Sequence, residues 1–314
     1  MYIEKKIAVI IPCYNVSKFI KQVIETLPEF IDYVIAVDDK CPSSSGKITK
    51  DISISNKKVY TVFHKVNKGV GAAVVSGYLK ALELGADIMI KMDGDAQMDP
   101  KYIESLILPI VENKADYTKG NRFSDFKALR SMPKVRIFGN SVLSFMLKTA
   151  SGYWDMMDPT NGYTAIHKNA IKKLDTDTLA KRYFFESDML INLNIENCVV
   201  KDVPIPALYG AEESSLNIAN VLMKFPPKIF LGLLKRIAFK YFIYSFNIAS
   251  IYIFFGGLMT MFGLSFGVYK WIVNSNLNIE TPTGTVMLAV LPLILGIQLI
   301  LQAITIDLSS IPKK

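Results

Sequence analysis

Four short apolar runs divide the first third of the chain, each stopped by polar or turn-forming residues. The first, Ile7 to Ile11, is largely β-branched and ends at Pro12. The others are Tyr33 to Val37, closed by Asp38 and Asp39, then Val59 to Phe63, then Ile88 to Met92, which ends at Asp93. Continuous apolar runs of this length predict buried strands. Between them the spacing changes to that of helices. Val16, Phe19, Ile20, Val23, Ile24 and Leu27 predict a helix over residues 16–27. The stretch after Asn67 reads as a loop opening a helix, and another helix is expected from about Pro100 to Val111. Strands alternating with helices predict an α/β domain with a mostly parallel sheet and right-handed crossovers.

The last quarter follows a different pattern. Tyr241 to Tyr269 and Thr281 to Ile306 carry no charged residue, and about 20 apolar residues suffice to cross a bilayer. Pro292 is tolerable inside such a helix. Lys235, Arg236 and Lys240 precede the first run, the connecting NSNLNIETP has no basic residue, and Lys313 and Lys314 close the chain. The positive-inside rule then predicts a hairpin with both chain ends cytoplasmic, and Tyr269 and Trp271 at the outer interface. Residues 221–239 mix apolar residues with lysines around Pro226 and Pro227, as interfacial helices do. The expected division is a cytosolic domain over 1–216, juxtamembrane amphipathic helices over 217–240, and a hairpin with a short tail over 241–314.

Charge supports this division. The net charge is +8, yet 51% of residues are hydrophobic, and no acid occurs between Glu213 and Glu280. Basic residues placed among apolar ones at that end fit an anionic lipid surface and not nucleic acid. Cys13, Cys41 and Cys198 form no CxxC pair and suggest no disulfide framework. Two histidines, His64 and His167, cannot build a multi-histidine metal site, and a Ser-His-Asp triad has little support. No secretory signal is visible, since the apolar run after Lys6 is short and meets Pro12.

The candidate chemistry centres on Asp93, Asp95 and Gln97, just past the end of the fourth run. Open α/β sheets bind ligands at the carboxyl ends of their strands. Two carboxylates and an amide at alternate positions are hard oxygen donors suited to Mg²⁺ or Mn²⁺ on a substrate's phosphates. An EF-hand loop is excluded: its sixth position is Met98 instead of Gly, and Pro100 falls inside it. A solvated acidic turn is the plain alternative. Gly69 and Gly71 fit GxG, but Val74 replaces the third glycine and the segment follows the third strand, so a dinucleotide site is not indicated. A helix opening near Gly69 could face a diphosphate, or these could be ordinary loop glycines. Asp38 and Asp39 could receive a base or ribose, or one could cap the next helix. Arg122, Lys134 and Arg136 are solvated or paired in the plain reading. Glu186 and Asp188 lie among apolar residues. On a helix they would diverge, so that at most one enters a site, where it could act as a base.

Taken in order, these motifs resemble family 2 glycosyltransferases, in particular polyprenyl-phosphate hexosyltransferases akin to dolichol-phosphate mannose synthase. The carriers are IPCYN (11–15), VDD (37–39), NKGVGAA (67–73), DGDAQ (93–97), GNR (120–122), Arg136 with Asn140, TNGY (160–163) and VPIPALYG (203–210). The resemblance spans about residues 5–216. It implies a GT-A-type fold and inverting transfer of a hexose from a UDP- or GDP-sugar to a polyprenyl phosphate at the cytosolic membrane face. By the same resemblance, Pro12, Tyr14, Asn15, Asp38, Asp39, Asn67 and Gly71 hold the nucleotide. Asp93, Asp95 and Gln97 would hold Mg²⁺ or Mn²⁺, and Arg122 and Arg136 the acceptor phosphate. Asp95, Glu186 and Asp188 are the catalytic candidates, with Asp188 matching the acid of the family's F-x-x-E segment. Val16, VDDKCPSSSG, TNGY and AEESS depart from the usual pattern and leave the sugar, the base and the acceptor open. A hydroxyl acceptor, which would require a base, and a non-catalytic membrane scaffold are the alternatives. A homo-oligomer stays open.

Overall fold

The computed structural model describes residues 2–124, 134–206 and 218–314. Seven strands, β1 (Ile7–Cys13), β2 (Tyr33–Asp38), β3 (Val59–Phe63), β4 (Ile88–Lys91), β5 (Tyr117–Asn121), β6 (Thr164–His167) and β7 (Val200–Pro204), form one sheet in the order β3-β2-β1-β4-β6-β5-β7. β1 pairs in parallel with β2 and β4, and β2 with β3. β6 runs antiparallel to both β4 and β5. The architecture is GT-A-like.

Strand β1 shows why the sheet is buried on both faces. Ile7, Val9 and Ile11 pack with Ile20, Val23 and Ile24 of α1 (Ile20–Glu25) and with Ile103, Leu106, Ile107 and Ile110 of α4 (Ile103–Val111). On the opposite face, α3 (Val70–Glu83) comes so close that a Cβ at Gly77 would overlap Ile10. Each buried Ile or Leu contributes about 1.5–3 kcal/mol, so layers on both faces make this strand the core. α2 (Ser45–Ser55) connects β2 to β3.

The order of the strands positions the site. The chain proceeds from β1 outward to β2 and β3, then returns to place β4 on the other side of β1. The carboxyl ends of β1 and β4 are therefore adjacent at the point where strand order reverses, which opens a crevice. Tyr14 and Asn15 leave one end, and Asp93 to Gln97 leave the other.

The predicted helix over 16–27 is shorter in the structure. Asn15 is left-handed (φ 59°), and Val16 O receives both the Phe19 and Ile20 N–H groups, so residues 16–19 form a turn. Among the described residues, the further α-helices before the hairpin are α5 (Lys134–Ser151), α6 (Lys168–Lys173), α7 (Phe185–Ile195) and α8 (Ile218–Ile237).

Residues Lys235–Ile311 form a second compact unit. A π-helical turn (Ala238–Tyr244) leads to α9 (Ile248–Asn276) and α10 (Thr283–Ser309), both long and apolar enough to cross a membrane. Asn247 opens α9 with a capping box: its Oδ1 accepts the Ala249 N–H at 2.9 Å, and the Asn247 N–H donates to Ser250 Oγ at 3.0 Å. The two helices touch along a seam of small residues. A Cβ on Gly263 would lie 2.6 Å from Ala289 O, and one on Gly256 3.0 Å from Gly296 O. Near the end of α10, Asp307 receives Arg236 through Nη1 at 2.7 Å and Nη2 at 3.0 Å, and also the Tyr241 hydroxyl, all of them buried.

Candidate active site

The end of β4 carries the centre of the site. Lys91 is 2% exposed, and its Nζ lies 3.0 Å from Asp93 Oδ1 and 3.0 Å from Glu186 Oε1 of α7. Burial alone would lower the lysine's pKa, but the two carboxylates outweigh it and hold the ammonium above its ordinary value. Beyond Lys91 the chain hooks. Asp93 N–H meets Met98 Sδ at 3.2 Å, Asp95 Oδ1 accepts Gln97 N–H at 3.0 Å, and Ala96 is left-handed at φ 64°. Gly94 lets the hook press on β1, since a Cβ there would sit 3.1 Å from Val16 Cγ2 and 3.2 Å from Ile11 Cγ2.

The donor set fits a hard divalent cation. No group of three or more His, Cys, Asp or Glu among the described residues could cage an ion, but Mg²⁺ ordinarily takes one or two carboxylates and completes its shell with substrate phosphates and water. The half-exposed carboxylates of Asp93 and Asp95, with Gln97 exposed beside them, supply that kind of partial shell.

On the β1 and β2 side, the structure gives Asp38 and Asp39 scaffold duties. Asp38 is buried and accepts Cys41 N–H at 2.8 Å and Gly46 N–H at 2.7 Å, the latter in the first turn of α2. Asp39 Oδ2 accepts Gly69 N–H at 2.7 Å, while its Oδ1 accepts Lys68 N–H at 2.8 Å and lies 2.7 Å from His64 Nδ1. The other His64 nitrogen is 2.9 Å from Ser76 Oγ. Serine, histidine and aspartate thus do form a hydrogen-bonded chain, one the sequence did not suggest. Its aspartate is spent on the loop before α3, and Ser76 lies in mid-helix, away from the amino-terminal N–H groups that could stabilise an oxyanion. Pro12 lies in β1 opposite Val37, Tyr14 and Asn67 are exposed, and Asn15 N–H is 3.1 Å from Cys41 Sγ.

The glycine loop is closed by the chain itself. Ala72 N–H donates to Lys181 O at 3.1 Å, and a Cβ on Gly71 would overlap Ala180 O and lie 2.8 Å from Phe185 Cβ. Gly71 is thus required by close packing, and the first turn of α3 already has a carbonyl partner.

On the far side of β4, a polar row crosses the sheet. Lys91, Thr164, Lys119 and Asp202 are register neighbours on β4, β6, β5 and β7. Lys119 is fully buried and donates to Asn161 O, and burial draws its pKa down to about 8 despite nearby Glu186 and Asp158. Arg122 grips the buried Asp158 through Nε at 2.7 Å and Nη2 at 3.1 Å. Its pairing is thus shown, and its side chain as a whole is 39% exposed. Arg136 belongs to α5, but its side chain lies outside the described residues, as do residues 207–217 with the AEESS departure.

Glu186 and Asp188 diverge as helical spacing requires. Glu186 turns to Lys91, whereas Asp188 accepts Ala180 N–H at 2.8 Å and Asn192 Nδ2 at 3.1 Å. Sequence reasoning passed over Lys91, Lys119 and Asp158. The available signal was a lysine inside an otherwise apolar strand, which must find a partner when buried.

Comparison with known proteins agrees with this geometry. The model described as Glycosyl transferase family 2 matches residues 8–175. A UDP-N-acetylglucosamine–dolichyl-phosphate N-acetylglucosaminyltransferase of Methanococcus voltae is 36% identical over 244 residues, covering 74% of this chain and 96% of the relative. An undecaprenyl-phosphate mannosyltransferase of Micrococcus luteus is 24% identical, covering 64% of this chain and 82% of that one. Among solved structures, glucosyl-3-phosphoglycerate synthase from Mycobacterium tuberculosis superposes with a TM-score of 0.53 at 16% identity, over 74% of this chain and 80% of that one. The same enzyme has been crystallised with Mn²⁺ and UDP.

Proposed function

Because the chain belongs to glycosyltransferase family 2, we propose that it moves a sugar from a nucleoside-diphosphate donor to a polyprenyl phosphate at the cytosolic face of a membrane. One observation carries this reading: the Asp93–Gln97 carboxylate site and two helices apolar enough to cross a membrane occur in one chain, 74% of which aligns with 96% of a dolichyl-phosphate N-acetylglucosaminyltransferase. The first donor to test is UDP-N-acetylglucosamine, after that relative, with UDP- and GDP-hexoses beside it. Placing both chain ends in the cytoplasm rests on the basic residues flanking the spans.

In this reading Asp93, Asp95 and Gln97 hold a Mg²⁺ or Mn²⁺ ion on the donor's diphosphate. The bound ion would supply Lewis-acid stabilisation of the negative charge on the leaving nucleoside diphosphate. Tyr14, Asn15 and Asn67, exposed around the crevice, are available to the nucleotide, while Asp38, Asp39 and Gly71 shape the loops that carry them. Arg122, held by Asp158, presents its guanidinium to the acceptor phosphate together with Arg136. A phosphate oxygen attacks the anomeric carbon directly, the bond to the donor's β-phosphate breaks, and configuration inverts. That oxygen is already ionised at neutral pH, so no general base is needed, in keeping with Glu186 and Asp188 both being engaged elsewhere. A hydroxyl acceptor would need one.

The test is incubation of membranes bearing the protein with radiolabelled UDP-N-acetylglucosamine, UDP-glucose or GDP-mannose, followed by organic extraction. Label in a lipid phosphate supports the proposal, and label confined to water-soluble glycan overturns the acceptor. Asp95→Ala should lower transfer about 100-fold or more, since a metal's contribution amounts to several kcal/mol and each 1.36 kcal/mol is tenfold in rate.

A further inference from the structure

The geometry points to Lys91 as the positioning residue of the cation grip: its buried ammonium pins one oxygen of Asp93, so that this aspartate offers the metal a single, pre-aimed oxygen, and Glu186 serves to hold Lys91 in place. This inference rests on the divalent-cation reading above.

Three observations support it. Lys91 and Asp93 are two residues apart at a strand end, so their side chains leave the same face, and they meet at 3.0 Å. Exposure rises outward along the trio, from 3% for the Lys91 side chain through 14% for Glu186 to 32% for Asp93. The cation is therefore sealed below, and only the aspartate reaches the crevice. Gly162, in the turn before β6, forms the lid. A Cβ there would overlap Lys91 Nζ and sit 3.3 Å from Asp93 Oδ2, so the lysine has no room to withdraw. A carboxylate at the rim of a loop would otherwise rotate freely, and groups that orient a metal ligand are worth about 10–100-fold in affinity or activity.

The alternative is purely electrostatic. A positive charge so close to the grip would only repel a divalent cation, and removing it would then tighten binding. The sign of the effect separates the two.

The experiment measures Mn²⁺ affinity of the full chain in detergent micelles, by electron paramagnetic resonance of the free ion, first alone and then with UDP. Lys91→Met combined with Glu186→Gln removes the pair without leaving an uncompensated buried charge. We expect Mn²⁺ affinity to fall about 10–100-fold in this double variant. Glu186→Gln alone, which leaves the Lys91–Asp93 contact, should fall less. If the double variant fails to fold by circular dichroism, Lys91→Met with Glu186 kept provides the reading: it should also weaken Mn²⁺, whereas the electrostatic alternative predicts tighter binding. Equal or tighter Mn²⁺ binding in a folded variant, against wild type that binds, overturns the role of Lys91 and spares the cation reading. Wild type that binds no Mn²⁺ with or without UDP overturns both.

Discussion

Asp202 and Cys41 carry the clearest predictions at the scale of single residues. One Asp202 oxygen accepts Met157 N–H at 2.6 Å, while the other is buried with no hydrogen-bond partner. Burial, against that one donor and with Asp158 adding to it, raises the Asp202 pKa to about 6. The folded state therefore holds the proton more tightly than the unfolded one. Stability is fully present below the unfolded pKa near 4 and declines as pH rises through about 6. Asp202→Asn should escape that decline. By thermal melting it should gain about 2–3 kcal/mol over wild type at pH 8 and nothing near pH 4. Cys41 shifts the other way. Its partial burial raises the thiol, but the Ser43 and Ser45 hydroxyls and the N–H groups of Ser45 and Asn15 outweigh that and bring it down to about 7. Iodoacetamide should therefore label Cys41 with a half-maximal rate near pH 7, and UDP should slow it if the β1 loop closes on the nucleotide. Cys198, raised by burial to about 11, and Cys13, raised further, should stay unlabelled in the native protein.

Among whole elements, legibility tracked how local the controlling forces are. β3 falls on the Val59–Phe63 run residue for residue, but as an edge strand it buries only Val59 and leaves Phe63 exposed. The helix over 16–27 loses its first turn where Asn15 is left-handed and Val16 packs beside Gly94, a contact between distant parts of the chain. Likewise, DPTNGYTAI reads as a turn and then a strand, but nothing local says that β6 enters antiparallel between β4 and β5. The same holds at the site. DGDAQ could be read from residue types alone, whereas the Lys91–Glu186 pair spans 95 positions and the Arg122–Asp158 pair 36. The capping alternative for the Asp38–Asp39 pair was visible, but the loop that Asp39 fixes was not. The spans yield an element-scale prediction. Gly263→Leu would place carbon 2.6 Å from Ala289 O and 2.8 Å from Leu293 N, where only close approach of small residues allows the helices to pack. A disulfide engineered across the seam in wild type should form readily, and this substitution should reduce its yield severalfold.

For the whole molecule, the two compact units divide the work. The larger carries the sheet and the crevice, and the smaller carries the paired apolar helices with the Arg236–Asp307–Tyr241 cluster at their base. That cluster is a buried ion pair, and Arg236→Ala would strand Asp307 at a cost of about 3–5 kcal/mol. The variant in micelles should show faster proteolysis within residues 235–311 than wild type, and restoring a neutral partner with Asp307→Asn should reverse part of that loss.

Seating the two apolar helices in the acceptor's own bilayer, as proposed, has a kinetic consequence. An enzyme riding in the same sheet of lipid as its acceptor searches in two dimensions, so the relevant abundance is the acceptor's share of the surface and not its amount per litre. Diluting proteoliposomes tenfold in buffer should leave the velocity per enzyme unchanged at saturating donor, whereas diluting the acceptor tenfold with inert phospholipid should slow it.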